Sequence, residues 1–346
     1  MTPEPGFNSI TAARARIDEF ITRTPLLRSA PLSSAIGADV HLKLENRQPT
    51  GSFKVRGAAN AIRSMLEHGP LPGVTTASTG NHARAVSHLA RWHGMMVLVY
   101  VSRDTSRHRI TALEGAGAVV ERTSRDQTEA IERAREAATT HGYGFIPPFD
   151  DPAVISGQGT VALELVEALP HLDTVVVPVS GGGLAAGVGL AVSALRPPAR
   201  VRGVCAERAP AMKASLDAGH PVTVPERETV AESLRGDLGA ETGTRSAWCG
   251  AMSMRSRLCR TRRSPMPCGS YGSTKTSRWK RRPRRRSPTC ERTPSASPAA
   301  PSLPYSPVPT TSRTGREKHQ GAWAGRLACS HGHAPESAAQ LTGQAE

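Results

Sequence analysis

The sequence has few aromatic residues and no long apolar run. Phe, Trp and Tyr together make up only 4% of the 346 residues. No apolar stretch approaches the roughly 18 residues that a transmembrane helix needs. The N-terminus also lacks the basic, apolar and small-residue pattern of a signal peptide. These absences predict no membrane association and a cytoplasmic location.

Cysteine is scarce before residue 244, since five of the six cysteines follow it. Those five lack the paired Cys-x-x-Cys spacing of zinc sites and the pattern of a disulfide framework, so neither is expected. The remaining one, Cys205, falls within an apolar run at 201–206 that is typical of a strand. We expect it to be a small core residue and not a nucleophile.

The composition changes abruptly near Thr244. Residues 245–346 hold 19 of the 44 Lys and Arg but only 4 of the 29 Asp and Glu, which leaves 25 of each before them. The tail therefore carries all of the net charge of +15, and it contains no Ile, Phe or Asp. Strands need β-branched and aromatic residues, and a core needs aliphatic surface. We predict a disordered tail over 245–346.

A basic tail can bind nucleic acid through its charge. No zinc spacing, aromatic platform or helical period accompanies the Arg-rich run at 281–286. Nucleic acid is therefore not an expected partner. A non-enzymatic protein with a nucleic-acid-binding tail is kept as the contrasting interpretation.

Before residue 244, short apolar runs alternate with helical patterns. The runs at 96–101, 175–179 and 201–205 are typical of buried parallel strands. Such alternation predicts an α/β fold with parallel sheets flanked by helices. The helical patterns lie near 11–22, 57–67, 82–93, 127–139, 158–168 and 184–195.

The first of three motifs is Gly51–Ala58, which places Lys54 after a strand pattern at 40–44 and at the start of a helix. A lysine among backbone N–H groups at a helix N-terminus is biased toward its neutral, nucleophilic form. A neutral lysine can form a Schiff base with an aldehyde cofactor. A lone lysine is more often a solvated surface residue, so this interpretation depends on two further motifs.

The second motif is Ser78-Thr79-Gly80-Asn81-His82, which follows a short strand at 74–77 and opens a helical pattern. Small hydroxyl residues and a glycine at such a turn leave several N–H groups free to bind a carboxylate. The alternative is an ordinary helix N-cap.

The third motif is Gly181-Gly182-Gly183-Leu184, directly after the apolar strand at 175–179. Three glycines let the backbone approach a phosphate, and the following helix points its positive end at it. The G-x-G-x-x-G and P-loop patterns of nucleotide sites are absent. The alternative is a flexible turn.

These three motifs, together with Lys43–Asn46 and Gln48-Pro49, resemble in order and spacing those of the fold-type II pyridoxal-phosphate enzymes. Within that family they resemble the threonine/serine dehydratase branch. The resemblance covers roughly residues 10–244. Gln48-Pro49 before the lysine and Asn81-His82 in the turn favour that branch over the sulfhydrylases. The patterns at 76–82, 147–152 and 207–215 resemble most the hydroxyectoine utilization dehydratases.

The resemblance implies two α/β domains that hold pyridoxal 5'-phosphate between them. The small domain would be 73–149, and the large domain would combine 1–72 with an incomplete 150–244. It also implies a small hydroxy amino acid as substrate, from which the β-hydroxyl and the amine are removed, and a homo-oligomer if the full large domain is present.

The resemblance also assigns roles to the motif residues. Lys54 would hold the cofactor and remove the α-proton. Phe53 would back the cofactor ring, although core packing explains it equally well. Asn81 would bind the phenolic oxygen of the cofactor. The cofactor phosphate would bind to the backbone of Gly181, Gly182, Gly183 and Leu184. The substrate carboxylate would bind to Ser78, Thr79, Gly80, Asn81 and His82.

Two positions bear on alternatives within the family. Racemases of this fold usually carry Ser at the position of Thr79, and the threonine hydroxyl keeps racemisation open. Glu207 matches a metal-binding carboxylate of several relatives, but Lys213 stands where they carry a second acidic residue. We therefore assign no metal.

The relatives continue beyond Ser233–Gly236 into further strands and helices, including a Ser or Thr against the pyridine nitrogen. Arg-, Ser- and Pro-rich sequence stands there instead, as out-of-frame reading of GC-rich DNA often gives. We hypothesise a frameshift near residue 245, with a functional basic tail or a divergent domain as alternatives. Apolar surface of the large sheet would then be exposed and activity impaired.

Overall fold

Helices and strands alternate along the chain. This computed structural model describes residues 4–225 and 227–235 and the backbone of 257–259, all within one compact unit that spans residues 1–268. The helices are α1 (Phe7–Ile17), α2 (Ala30–Ile36), α3 (Lys54–Leu66), α4 (Asn81–Trp92), α5 (Arg107–Gly115), α6 (Gln127–His141), α7 (Pro152–Ala168), α8 (Gly183–Leu195) and α9 (Ala211–Ala218). The strands are β1 (Leu26–Arg28), β2 (His41–Lys43), β3 (Gly73–Ala77), β4 (Met96–Ser102), β5 (Val119–Ser124), β6 (Gly144–Phe145), β7 (Thr174–Pro178), β8 (Arg200–Ala206) and β9 (Arg257–Cys259).

The strands of the described residues form three sheets. Strands β1 and β2 pair in antiparallel fashion, whereas β5-β4-β3-β6 and β7-β8-β9 are parallel sheets in those orders. Helices connect successive strands of each parallel sheet, because parallel strands require long crossovers. The predicted α/β fold with parallel sheets flanked by helices is confirmed. The division into domains at 72, 149 and 244 stays a prediction.

Of three hydrophobic clusters among the described residues, the two larger ones form the main cores beside the two parallel sheets. One surrounds α3 and α4 and includes Val55, Ile62 and Leu89. The other lies between α7, α8 and the second sheet and includes Val177 and Cys205. Cys205 is buried there, and desolvation raises the pKa of its thiol, which confirms it as a core residue.

Glycines bring α3, α7 and α8 into close contact. A Cβ at Gly157 of α7 would lie 2.7 Å from the Cα of Gly57 on α3. A Cβ at Gly187 of α8 would lie 2.6 Å from the backbone nitrogen of Gly159 on α7. Neither approach leaves room for a side chain, so these glycines set the distances between the three helices. The start of α3, which carries Lys54, is fixed by this packing.

A buried ion network holds the same end of α3. The guanidinium of Arg56 is fully buried and donates two hydrogen bonds of 2.8 Å to Glu45 and one of 2.7 Å to Glu164. Lys43 donates to the other Glu164 oxygen and, at 2.7 Å, to the carbonyl of Thr24. Two cations and two anions balance, as buried charges require. Burial is the largest single influence on the pKa of Glu45 and raises it. The hydrogen bonds and the charge of Arg56, with bonds from Thr24 and Gln48, together outweigh burial, so the pKa of Glu45 is lowered.

Some boundaries differ from those predicted. Helix α7 begins at Pro152 instead of 158, because the Asp151 side chain accepts a 2.8 Å bond from the Val154 N–H and Pro152 opens the first turn. Helix α1 covers Phe7–Ile17 and not 11–22. The elements α2, α5, α9, β1, β5 and β6 were not predicted, since each is short and weakly patterned.

The predicted tail contains one described element. Arg257–Cys259 form β9, which pairs with β8. The rest of 245–346 lies outside the described residues, and so do the disorder predicted for it and the missing partner of the pyridine nitrogen. On the second sheet, Val176 is 64% exposed while Val175 and Val177 are buried. Apolar surface of β7 is thus exposed at Val176, and the wider exposure expected of the large sheet stays a prediction.

Candidate active site

Lys54 is the first residue of α3, and its amine points into the protein. The Nζ atom donates a 2.5 Å hydrogen bond to the carbonyl oxygen of Pro148 and lies 5.4 Å from the ring centroid of Phe53. The residue keeps some exposed surface, but the amine itself is enclosed. Desolvation lowers the pKa of Lys54 from 10.5 to about 8. A usable fraction of the amine is therefore neutral near neutral pH.

The segment Ile146–Phe149, which follows β6, joins the motifs. The Ile146 carbonyl accepts hydrogen bonds from Thr76 Oγ1 at 2.7 Å and from His82 Nε2 at 3.0 Å. Two residues later, the Pro148 carbonyl accepts from Lys54. One short segment thus brings together side chains that are 28 residues apart in sequence.

His82 is buried within α4 in its neutral form. Desolvation, and secondly the charge of Lys54, lower the pKa of His82 to about 3. Since Nε2 donates to the Ile146 carbonyl, Nδ1 is the unprotonated nitrogen. That buried atom has no hydrogen-bond partner in the structure.

The Gly181–Gly183 loop packs against Phe149. A Cβ at Gly181 would lie 2.7 Å from Cε1 of the Phe149 ring, with Cγ and Cδ1 nearer still. A Cβ at Gly183 would lie 2.6 Å from the Phe149 carbonyl oxygen. Gly182 has φ +87° and forms the N-cap of α8. Gly181 and Gly183 are thus required by Phe149, and Gly182 by its own backbone conformation.

The turn at Ser78–Gly80 leads into α4, which begins at Asn81. Its N-cap is Gly80, so no side chain caps the helix. The Gly80 N–H donates a long 3.3 Å bond to Ser78 Oγ. The first N–H groups of α4 have no intrahelical acceptor and carry the positive end of the helix dipole. Such a turn can bind a carboxylate.

The predicted site residues meet around the segment Ile146–Phe149 to different degrees. Lys54 and His82 bond to it, and Gly181 and Gly183 pack on it. Leu184 packs on the second core through its side chain. The roles that the resemblance assigns to all of these residues toward a ligand stay predictions, as do those of Phe53, Asn81, Gly182 and the turn residues Ser78, Thr79 and Gly80.

The residues present fit pyridoxal phosphate. Besides His82 Nδ1, the buried hydroxyls of Ser52 and Thr50 have no hydrogen-bond partner in the structure. Both residues lie shortly before Lys54 in the sequence, and a buried polar atom without a partner is costly. A polar ligand beside the Lys54 amine would satisfy such atoms. The glycine loop at the start of α8 supplies backbone N–H groups for a phosphate.

Two features of the site were missed in the sequence. Pro148 and Phe149 were read only as part of a family pattern, although they contact both the lysine and the glycine loop. Arg109 of α5 donates a 3.0 Å hydrogen bond to Thr79 Oγ1. No local pattern marks Arg109, because its partner lies 30 residues away.

Comparison with known proteins identifies the family. Residues 17–249 match the family described as pyridoxal-phosphate dependent enzyme, and the chain belongs to it. The predicted cofactor is thereby confirmed for the family. A putative threonine dehydratase of Sinorhizobium fredii is 45% identical over 244 residues, which are 70% of this chain and 74% of that protein. The chain is thus a threonine dehydratase-like member of its family.

Other relatives are more distant. The biosynthetic L-threonine dehydratase of Escherichia coli is 41% identical over 64% of this chain, and that alignment spans only 43% of the E. coli protein. The structure of maize serine racemase superposes with a TM-score of 0.69 at 31% identity, covering 74% of this chain and 77% of that one. Relatives with lyase names and with racemase names thus share this fold.

Within the part of the chain that the structure describes, no three or more His, Cys, Asp or Glu side chains are arranged to hold a metal ion. Lys213, which argued against a metal, pairs with Asp217. No helix among the described residues is long and apolar enough to cross a bilayer.

Proposed function

We propose that this protein is a pyridoxal-phosphate dependent ammonia-lyase that acts on a small hydroxy amino acid such as L-threonine or L-serine. The buried Lys54 amine, with its pKa lowered to about 8, carries the proposal. A neutral amine can both hold an aldehyde cofactor and accept a proton. The threonine dehydratases among the relatives support this reaction class.

The chain's own residues supply binding and proton transfer. The turn before α4 binds the substrate carboxylate, and the glycine loop before α8 binds the cofactor phosphate. Pyridoxal phosphate, when bound, supplies a ring that accepts electrons from the α-carbon. The Lys54 amine removes the proton from the α-carbon. The β-hydroxyl then takes up a proton from that amine and leaves as water. The released product then takes up water and yields a 2-oxo acid and ammonia.

The test uses the purified chain with added pyridoxal phosphate. Ammonia and 2-oxo acid release are measured with L-threonine, L-serine and hydroxylated diamino acids. The hydroxylated diamino acids test the narrower proposal of a hydroxyectoine-derived substrate, which the patterns at 147–152 support. Stoichiometric release that is lost in Lys54→Ala is the expected result. Absence of release from all of them, despite bound cofactor, both in the chain as given and after the reading frame near residue 245 is restored, contradicts the lyase.

Amino-acid racemisation is the second candidate. The Thr79 hydroxyl in the turn favours it, and so does the likeness to serine racemases from maize and rice. Chiral chromatography of the remaining substrate separates the two reactions. Accumulation of the D-isomer faster than ammonia would favour the racemase.

We also propose a frameshift near residue 245, a homo-oligomer and a cytoplasmic location. The family match, which ends at residue 249, supports the frameshift. Sequencing the DNA around codon 245 tests it, and a confirmed reading frame removes it. We expect impaired turnover in the chain as given. A rate on the order of 1 s⁻¹ or more, typical of enzymes, would contradict that expectation.

A further inference from the structure

A chain of polar contacts links the two loops of the site. Arg109 donates through Nη1 to Thr79 Oγ1 at 3.0 Å and through Nη2 to Glu232 Oε2 at 2.6 Å. Three residues after Glu232, the Arg235 carbonyl accepts a 3.2 Å hydrogen bond from Ser180 Oγ. Residues 232–235, the bridging segment, thus connect the glycine loop with the turn that precedes α4.

The turn before α4 has little to fix it locally. Gly80 has no side chain to cap the helix, and the local side-chain hydrogen bond that the described residues form in this turn is the 3.3 Å contact from the Gly80 N–H to Ser78 Oγ. The bond from Arg109 to Thr79 is shorter and charge-assisted, and such bonds are stronger than neutral ones. The side chain of Thr79 is therefore held from another helix and not by its own turn.

The ion pair itself has little value for folding. The side chains of Arg109 and Glu232 are 43% and 67% exposed. Exposed ion pairs contribute little to stability, because water and salt screen them. A guanidinium beside a turn with free N–H groups instead adds positive charge where a carboxylate would bind.

We propose that Arg109 is a positioning residue for substrate binding, which holds Thr79 so that the turn at 78–82 receives the substrate carboxylate. Glu232 orients the Arg109 guanidinium through the second pair of N–H groups. This inference rests on the proposed function, since it takes that turn as the carboxylate site.

The test measures binding of glycine to the protein loaded with pyridoxal phosphate. Glycine has the carboxylate and the amine but no β-hydroxyl, so it cannot be eliminated. Binding is followed by the change in cofactor absorbance. Arg109→Gln should raise the dissociation constant of glycine about tenfold, the loss expected for a hydrogen bond from a charged donor. The dissociation constant of pyridoxal phosphate should not change.

Control variants separate positioning from folding. Arg107→Gln removes an exposed arginine from the same first turn of α5 and should leave both constants unchanged. Arg109→Lys should restore part of the affinity, because lysine keeps the charge but cannot bond both partners with a planar fork. Glu232→Gln should weaken glycine binding less than Arg109→Gln, and adding it to Arg109→Gln should cause no further loss.

Ionic strength gives an independent readout. Raising salt should weaken glycine binding more steeply in the unchanged protein than in Arg109→Gln, since salt screens the exposed guanidinium. A purely structural arginine would not produce this difference.

Three results would overturn the inference. The first is a glycine affinity in Arg109→Gln equal to that of the unchanged protein, and the second is an equal loss of glycine and cofactor affinity. Unchanged protein that binds no glycine overturns it as well. Failure of the proposed function looks different: glycine binds as expected, but L-threonine releases no ammonia.

Discussion

Gly157→Ala should separate α3 from α7 and displace the lysine. The added Cβ would lie 2.7 Å from Gly57 Cα and 2.9 Å from the Arg56 carbonyl carbon, with the Arg56 oxygen nearer still. All three are backbone atoms, so no side chain can swing aside. Ordinary contact begins at 3.4 Å, so the helices must move apart by at least about 0.7 Å. Arg56 follows Lys54 by two residues, so the shift reaches the site.

The magnitude follows from two opposing effects. Overpacking of a tight interface costs about 1–3 kcal/mol. Alanine in place of glycine inside a helix gains about 1 kcal/mol. The variant should therefore lose up to about 2 kcal/mol of its unfolding free energy. Gly115→Ala is the matched control, because that exposed helical glycine has nothing within 4 Å of its Cβ position. It should gain up to about 1 kcal/mol.

The assay is urea denaturation of both variants beside the unchanged protein, together with cofactor titration. Gly157→Ala should shift the midpoint down and weaken pyridoxal phosphate binding, whereas Gly115→Ala should do neither. If Gly157→Ala gains stability as Gly115→Ala does, the packing between α3 and α7 is looser than the distances at Gly157 indicate. The account of how α3 is placed would then be wrong.

Three further changes test the site. Lys54→Ala should abolish the cofactor absorbance shift and any lyase activity, and activity retained in this variant would show that Lys54 is not the catalytic lysine. In the unchanged protein the absorbance shift should develop faster as pH rises through about 8, where the amine loses its proton. Gly182→Val should weaken cofactor binding more than it lowers the melting temperature, because a β-branched residue at φ +87° disturbs the phosphate loop itself; equal cofactor affinity would show that the loop does not hold the phosphate. Burial lowers the pKa of His82 to about 3, so the unfolded chain takes up its proton near pH 6.5 before the folded protein does, and stability present above pH 6.5 should be lost as pH falls toward 3. His82→Gln should flatten this decline in denaturation experiments, and an unchanged slope would show that His82 does not titrate as stated.

The sequence alone determined the motifs and the class of fold. Lys54 at a helix start, a small polar turn before α4 and a glycine loop before α8 are local patterns, and their chemistry depends on neighbours within a few residues. Short apolar runs between helical patterns likewise predicted the parallel sheets, because β4 and β7 are nearly continuous in apolar residues, and β8 carries an apolar segment interrupted by Arg202.

Only the tertiary structure decided which residues complete the site. The bond from Lys54 to Pro148 spans 94 residues, that from His82 to Ile146 spans 64, and the pair of Arg109 with Glu232 spans 123. Phe149 lies against Gly181, so that glycine serves packing where the sequence had suggested only a phosphate. Contacts of this length depend on how sheets and helices pack, and no spacing along the chain encodes them. The lowered pKa of Lys54 has the same origin, because it is burial by distant segments that removes water from the amine.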